Sequence, residues 1–143
     1  MDSMVGFKTP QYLRFGWCGA RLDDLMNYIP ARIACLLLGL SGFFLPTLSA
    51  RKAWRIGWAQ HDVLPGPNPG WSEATMAGLL QKRLIGPIRK NGAMVTDVWI
   101  GDPSDPEGGT VNDIDRAIRA TIISSILAVL ICLLSVWGTV NLT

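Results

Sequence analysis

The hydrophobic pattern divides the chain unevenly. From Ala120 to Val140 no residue is charged, and roughly 21 residues rising about 1.5 Å each match a hydrocarbon core of ~30 Å. The pattern predicts a transmembrane helix over residues 116–140. Asn112 is placed to cap it, Asp113 and Asp115 complement its positive end, and Arg116 and Arg119 can snorkel to the interface.

Upstream, Leu22, Leu25, Met26 and Ile29 recur at i, i+3, i+4 and i+7, with Asp24, Asn27 and Tyr28 opposite. This predicts an amphipathic helix from Trp17 to Ile29 within an N-terminal segment 1–32. Pro30 interrupts its ladder or opens a new helix in the first turn. Residues 33–50 are uncharged but diluted by Gly39, Ser41, Gly42, Pro46, Thr47 and Ser49. They form a doubtful membrane segment, re-entrant or spanning, in which Gly39 and Gly42 would let another helix approach closely.

Arg51, Lys52 and Arg55 mark a polar boundary, with Trp54 and Trp58 as interface anchors. Residues 51–115 then read as a loop. Gln60 to Gly70 is irregular, Ser72 caps a short amphipathic helix from Glu73 to about Ile85, and Gly86-Pro87 stops it. Asn91 to Gly109 has only a short Val95 to Ile100 run before a turn-rich surface stretch. Basic residues flank the central loop on both sides, so the positive-inside rule puts it in the cytoplasm of a cell (inner) membrane protein, single-pass or multi-pass. The expected fold class is therefore all-α: an integral membrane helical fragment with one transmembrane helix, one doubtful membrane segment and a cytoplasmic loop.

A chain of 143 residues with 17% charged residues and a net charge of +2 fits one domain and gives no basic stripe for nucleic acid. Cys18, Cys35 and Cys132 have no metal-ligand spacing and read as packing residues. No basic start precedes an apolar run, so no cleavable signal peptide is expected.

Three polar clusters are candidates for chemistry. The first is Arg21, Asp23, Asp24, Asn27 and Arg32; the second runs from Asn68 to Glu73; the third is Trp99, Gly101, Asp102, Asp113 and Arg116. Adjacent helical carboxylates point about 100° apart, so Asp23 and Asp24 cannot grip one ion unaided, and a solvated face is their plain reading. The glycine-rich run before Glu73 has the shape of a phosphate cradle at a helix N-terminus but lacks a Walker lysine, and by itself a simple turn between two membrane-associated segments is the better account. Glu73 itself fits a first-turn residue complementing the dipole. His61 beside Asp62 reads as a surface pair.

Motifs in order bring these clusters together. Asp2-Ser3-Met4-Val5-Gly6 is followed by Ala20-Arg21-Leu22-Asp23-Asp24 with Asn27, Ile29, Pro30, Ala31 and Arg32. Next come Pro67-Asn68, Gly70-Trp71, Glu73-Ala74 and Ala77-Gly78, then Trp99-Ile100-Gly101-Asp102 with Asp113-Ile114. The series resembles the C-terminal half of the adenosylcobinamide-phosphate synthase family, the CobD/CbiB membrane enzymes of cobalamin assembly.

The resemblance implies an ATP-dependent amide ligation joining adenosylcobyric acid to aminopropanol phosphate or a related amino alcohol. Asp23, Asp24 and Glu73 would be catalytic, with magnesium held through their oxygens and no dedicated protein metal site. Arg21, Asn27, Arg32, Asn68, Gly70 and Trp71 would bind the corrinoid, phosphate or nucleotide. Departures are Gly66 for the family's serine, Leu64 where a histidine is common, and Ile85-Gly86-Pro87-Ile88-Arg89 without the family's tyrosine. The family's N-terminal helices lie outside the resemblance, so activity is expected only with that missing half; lipid is the other expected partner. A non-catalytic membrane remnant or interaction partner of the synthase is the alternative, and a small channel is disfavoured because no pore-like ring pattern is present.

Overall fold

A computed structural model describes residues 13–64, 66–90 and 93–141. Its elements are α1 (Leu13–Met26), α2 (Tyr28–Ser41), α3 (Ala50–Gln60), α4 (Pro69–Leu80), β1 (Leu84–Lys90), β2 (Ala93–Ile100) and α5 (Val111–Asn141). The opening motif at residues 2–6 lies outside the described residues.

α1 and α2 are separated by Asn27 alone. The Asn27 N–H still donates to Asp23 O and the Asn27 carbonyl still accepts from Ala31 N, both at 3.0 Å, so the backbone is handed across the break. Pro30 falls in the first turn of α2, where its missing N–H costs little. α1 leaves Leu25 and Met26 both 70% exposed, so its apolar stripe has no cover among the described residues.

The doubtful segment 33–50 is resolved into the second half of α2 and a series of turns. α2 ends at Ser41, and its 14 residues reach only about 21 Å, short of a bilayer core. Its inner face buries Cys35, Leu37 and Leu38.

Residues 51–115, expected to be a loop with one short helix, hold two helices and a hairpin, so the chain is mostly rather than wholly helical. Ser49 accepts from Lys52 N and caps α3. α4 begins four residues before the predicted Glu73, because Pro69 occupies its first position and Asn68 the cap. It also ends earlier, at Gln81, which adopts a left-handed conformation with φ 55°. Beyond it lies an antiparallel hairpin in which Leu84 pairs with Ile100 and Lys90 with Ala93. The fold is mostly helical with a two-stranded sheet. The hairpin signal was present as Asn91-Gly92 between the paired residues; Gly86-Pro87 in the middle of β1 masked it by resembling a stop.

The core forms where α3 crosses α4. Leu48, Ala53, Leu79, Leu80 and Ala120 make one buried cluster, and Ile56, Ala74, Ala77 and Ile100 a second that reaches the hairpin. The helices touch through glycine. A methyl group on Gly78 would stand 2.5 Å from Lys52 O and 2.8 Å from Ala53 Cα, and one on Gly57 would stand 2.5 Å from Thr75 Oγ1. Buried Thr75 also bonds across to Cys35 Sγ at 3.0 Å, so α2 is drawn into the same crossing.

The turn-rich stretch after β2 is docked rather than free. Lys52 pairs with Asp105 at 2.6 Å and Arg55 with Asp102. The Gln60 side chain both donates to Gly101 O and accepts from Gly101 N. α5 is capped by Thr110 rather than Asn112: the Thr110 N–H and hydroxyl both donate to Asp113 Oδ2 at 2.9 Å, in the manner of a capping box. Lys82 and Arg116 close on the same buried carboxylate, at 3.5 and 2.8 Å, and Arg116 also reaches Thr47 O.

α5 is the one described helix long and apolar enough to cross a membrane. Its 31 residues extend about 46 Å. Beyond Ser124 the helix leaves the core, and Leu133, Leu134 and Trp137 are more than 60% exposed.

The glycine crossing generates a contrast. Gly78→Ala should destabilise the chain by about 1–3 kcal/mol, since rigid backbone must give way. Gly19→Ala, with nothing within 4 Å of the added methyl in α1, should be neutral or stabilising by up to about 1 kcal/mol. Thermal unfolding of the two variants in lipid nanodiscs checks the difference.

Candidate functional site

The turn from Gly66 to Trp71 stands between two clefts. On one side, Asn68 and Pro69 face the end of α1 and the start of α2, where Asp23, Asp24, Asn27, Pro30, Ala31 and Ala34 complete an open cleft of about 440 Å³. Asn68 Nδ2 donates to Asp24 O at 2.8 Å, a tie across 44 residues that fixes the turn against α1. Its Oδ1 is buried with no partner, an unmet acceptor at the cleft wall. Asn27 Nδ2 donates to Asp23 Oδ2 at 3.2 Å. Two carboxylates and two amide side chains thus line one space, which periodicity along a helix could not foretell.

On the other side, Gly66, Pro67 and Trp71 meet Arg32, His61, Asp62 and Leu64 around a cleft of about 470 Å³. Trp71 is only 4% exposed. Trp58 and His61 meet its ring edge-on at centroid distances of 5.0 and 4.1 Å, and the Arg32 guanidinium carbon lies 4.8 Å from its centroid. Gly70 belongs to neither wall. It is buried against the His61 carbonyl, where any side chain would collide, so its place in the structure is packing.

Glu73 is separated from Asp23 and Asp24. It lines a third, largely apolar groove of about 490 Å³ with Ser72, Met76, Leu37, Leu38 and, from α5, Thr121, Ser124 and Ser125. Only Ala34 borders both this groove and the acidic cleft. Desolvation raises the Glu73 carboxyl above its ordinary range. Arg21 lies apart from all three spaces, exposed and stacked 5.7 Å from the Trp17 ring centroid.

The residues of the third sequence cluster are engaged in contacts that hold the fold together. Asp102 accepts from Ser104 N and Oγ and pairs with Arg55; these contacts, the Ser104 bonds foremost, hold its carboxyl below the usual range. Asp113 and Arg116 cap and brace α5, and Trp99 stacks on Arg83 at 5.0 Å. They fasten the hairpin and loop to the helices. Among the described residues no group of three or more His, Cys, Asp or Glu could hold a metal ion.

His61 is the residue that sequence reasoning passed over. The Asp62 carboxylate lies 3.9 Å from its Nδ1, beyond hydrogen-bond reach, and Nδ1 is buried and unpartnered. The pairing with Asp62 was legible, but packing against Trp71 requires the fold of α3 onto α4.

Comparison with known proteins accounts for the co-location of these motifs. The model of the CobD/CbiB protein family matches residues 1–121. This chain belongs to the CobD/CbiB family. It is 42% identical over 131 residues to the cobalamin biosynthesis protein CobD of Yersinia enterocolitica, covering 92% of this chain and 40% of that protein. It is 44% identical over 131 residues to CobD of Photorhabdus laumondii, with the same shares, and 44% identical over 128 residues to the cobalamin biosynthesis protein CbiB of Salmonella typhi, covering 90% and 39%. This CobD/CbiB chain thus spans about 40% of the length of the curated relatives it matches, a C-terminal portion of them. No solved structure matches it.

The partial desolvation of Glu73, which stays exposed at its groove, has a pH signature. A raised carboxyl keeps its proton longer in the folded state, so the fold is most stable when Glu73 is protonated and loses stability as pH rises from the ordinary carboxylate range through the raised value. Glu73→Gln should remove that decline, measured as the variant-minus-parent difference in unfolding temperature between pH 4 and 8.

Proposed function

We propose that this CobD/CbiB chain supplies the substrate-binding turn and acidic groups of a membrane enzyme that joins adenosylcobyric acid to aminopropanol phosphate or a related amino alcohol. The single observation that carries this reading is the meeting of Asp23, Asp24, Asn27 and Asn68 around one cleft beside the Gly66–Trp71 turn. In the reaction, transfer of the terminal phosphoryl group of ATP to the acid's carboxylate gives an acyl phosphate, and attack by the amine forms the amide and expels phosphate.

The donor set fits magnesium carried in with a nucleotide. Magnesium commonly takes one or two carboxylates and completes its shell with water and substrate phosphate oxygens, and Asp23 and Asp24 with the Asn68 amide oxygen offer oxygen donors of that kind. Arg32 would neutralise phosphate. Glu73, in its largely apolar groove apart from Asp23 and Asp24, would act as proton acceptor or donor rather than as a metal ligand. Arg21 would serve only if a further segment brought substrate to it.

The enzyme would be held at a cell membrane by α5, with the remaining length that the relatives possess supplying further helices. The alternative is a non-catalytic membrane protein that associates with an intact synthase; the span of about 40% of the relatives' length is what keeps that reading in view.

Co-expression of the chain with the N-terminal part of a relative, followed by an assay for adenosylcobinamide phosphate, separates the two. Restored amide formation supports the ligation, and an inert assembly refutes it. Within an active assembly, Asp24→Ala and Glu73→Ala should each lower amide formation by roughly 10²-fold or more, and undiminished turnover would remove that residue from the machinery.

A further inference from the structure

We propose that Arg32, His61 and the Trp71 indole form a subsite for a phosphate monoester. The inference deepens the proposed ligation and rests on it for the identity of the ligand, which would be the phosphorylated end of the amino alcohol.

The first observation is an arginine held ready without a counter-ion. Lys52, Arg55, Lys82, Arg83, Arg116 and Arg119 each pair with a carboxylate. Arg32, like the exposed Arg21 and Arg51, pairs with none among the described residues, but unlike Arg51 it is stacked in place and unlike Arg21 it borders a cleft. Its Nη1 donates to Tyr28 O at 2.6 Å, and its guanidinium carbon stacks 3.3 Å from the Tyr28 ring centroid and 4.8 Å from that of Trp71. Two aromatic rings and a carbonyl fix the planar fork, while four of its five N–H donors have no partner in the described structure. Fixing a charged side chain costs rotamer entropy, and an anion bound there would recover it in affinity.

The second observation is independent. The His61 imidazole packs edge-on against the same indole at 4.1 Å and makes no hydrogen bond among the described residues. Its backbone closes the end of α3 and is seated against Gly70 of α4, so the ring is carried by a helix end packed on another helix rather than by a free loop. Arg32 and His61 therefore both lie within 5 Å of one indole and border one cleft of about 470 Å³, room for a phosphate and a short organic chain. The neighbouring carboxylate, Asp62, is 79% exposed and its charge is screened by solvent.

A phosphate suits this pair better than a carboxylate. An arginine fork engages two oxygens, and a monoester presents a third for the imidazole along with up to two negative charges. A phospholipid headgroup carries related chemistry at a membrane surface, and the test distinguishes the two.

Isothermal titration of the full chain in nanodiscs would compare 1-amino-2-propanol phosphate, unphosphorylated 1-amino-2-propanol and inorganic phosphate, with and without phosphatidylglycerol in the disc. The phosphorylated amine should bind at least about tenfold more tightly than the free amine, and Arg32→Gln and His61→Gln should each weaken it about tenfold. Arg32→Lys, which keeps the charge but loses the fork, should fall between, and unfolding temperatures near the parent's would certify folded variants. Equal binding of the two amines, no binding of the phosphorylated one, or full affinity in a folded Arg32→Gln variant would overturn the subsite. Displacement of the amine phosphate by phosphatidylglycerol would overturn the monoester assignment in favour of a lipid headgroup. Amide formation without any phosphate preference would sink the subsite alone; phosphate preference in a chain whose co-expressed assembly forms no amide would sink the ligation and leave the subsite standing.

Discussion

The crossing of α3 on α4 is close enough that backbone meets backbone, and the positions that permit it have no side chain. Gly78 lies against Lys52 and Ala53, Gly57 against Thr75, and Gly70 against the His61 carbonyl. Those contacts close the chain between Gln60 and Pro69 into a short, pinned connection. Once it is pinned, Asn68 can reach Asp24 and Trp71 can receive Arg32, so α1 and α2 acquire their positions at the clefts from a contact made by two other helices. Small residues serve here as they do between helices in lipid, where close approach supplies the dispersion energy that the hydrophobic effect does not.

Around this crossing, charge is spent on attachment. The hairpin and the loop after it would otherwise fray, and Lys52, Arg55 and the Gln60 amide hold them to α3. Asp113 accepts from Thr110 and meets Lys82 and Arg116, fixing the start of α5 to the end of α4; the Thr110 backbone bond above all holds its carboxyl near 2 despite burial. It lies ahead of the charge-free stretch, so the braced end of α5 stays with the polar body while the remainder projects an uncovered apolar surface. Such a surface suits lipid or further helices far better than water.

The three clefts differ in chemistry. Oxygen donors line one, a stacked guanidinium and an imidazole another, and a desolvated carboxyl sits in the third beside α5. The Gly66–Trp71 turn borders the first two, and Ala34 of α2 links the first to the third. The Arg32 cation stands on the other side of the Gly66–Trp71 turn from the carboxylates of the first cleft.

Much of this was legible along the chain. The uncharged run from Ala120 determines α5, because bilayer thickness and helix rise leave few alternatives; the spacing of Leu22, Leu25 and Met26 determines α1, though the expected continuation to Ile29 is broken at Asn27; and the ordered motifs around Asp23, Asp24, Asn68 and Trp71 determine the family. The hairpin was missed because Pro87 and Gly86 read as punctuation when a two-stranded edge tolerates them, and the start of α4 was misplaced because Pro69 was counted with the loop. What only the tertiary structure decided is company: that Asn68 belongs with Asp24, that Glu73 does not, that Asp102, Asp113 and Arg116 are fasteners, and that His61 stands on Trp71 beside an unpaired arginine. Periodicity reports which face of a segment avoids water. Which residues of distant segments share a cleft depends on how closely two backbones can approach, and at α3 and α4 that is set by three glycines whose partners lie 9 to 26 positions away in sequence.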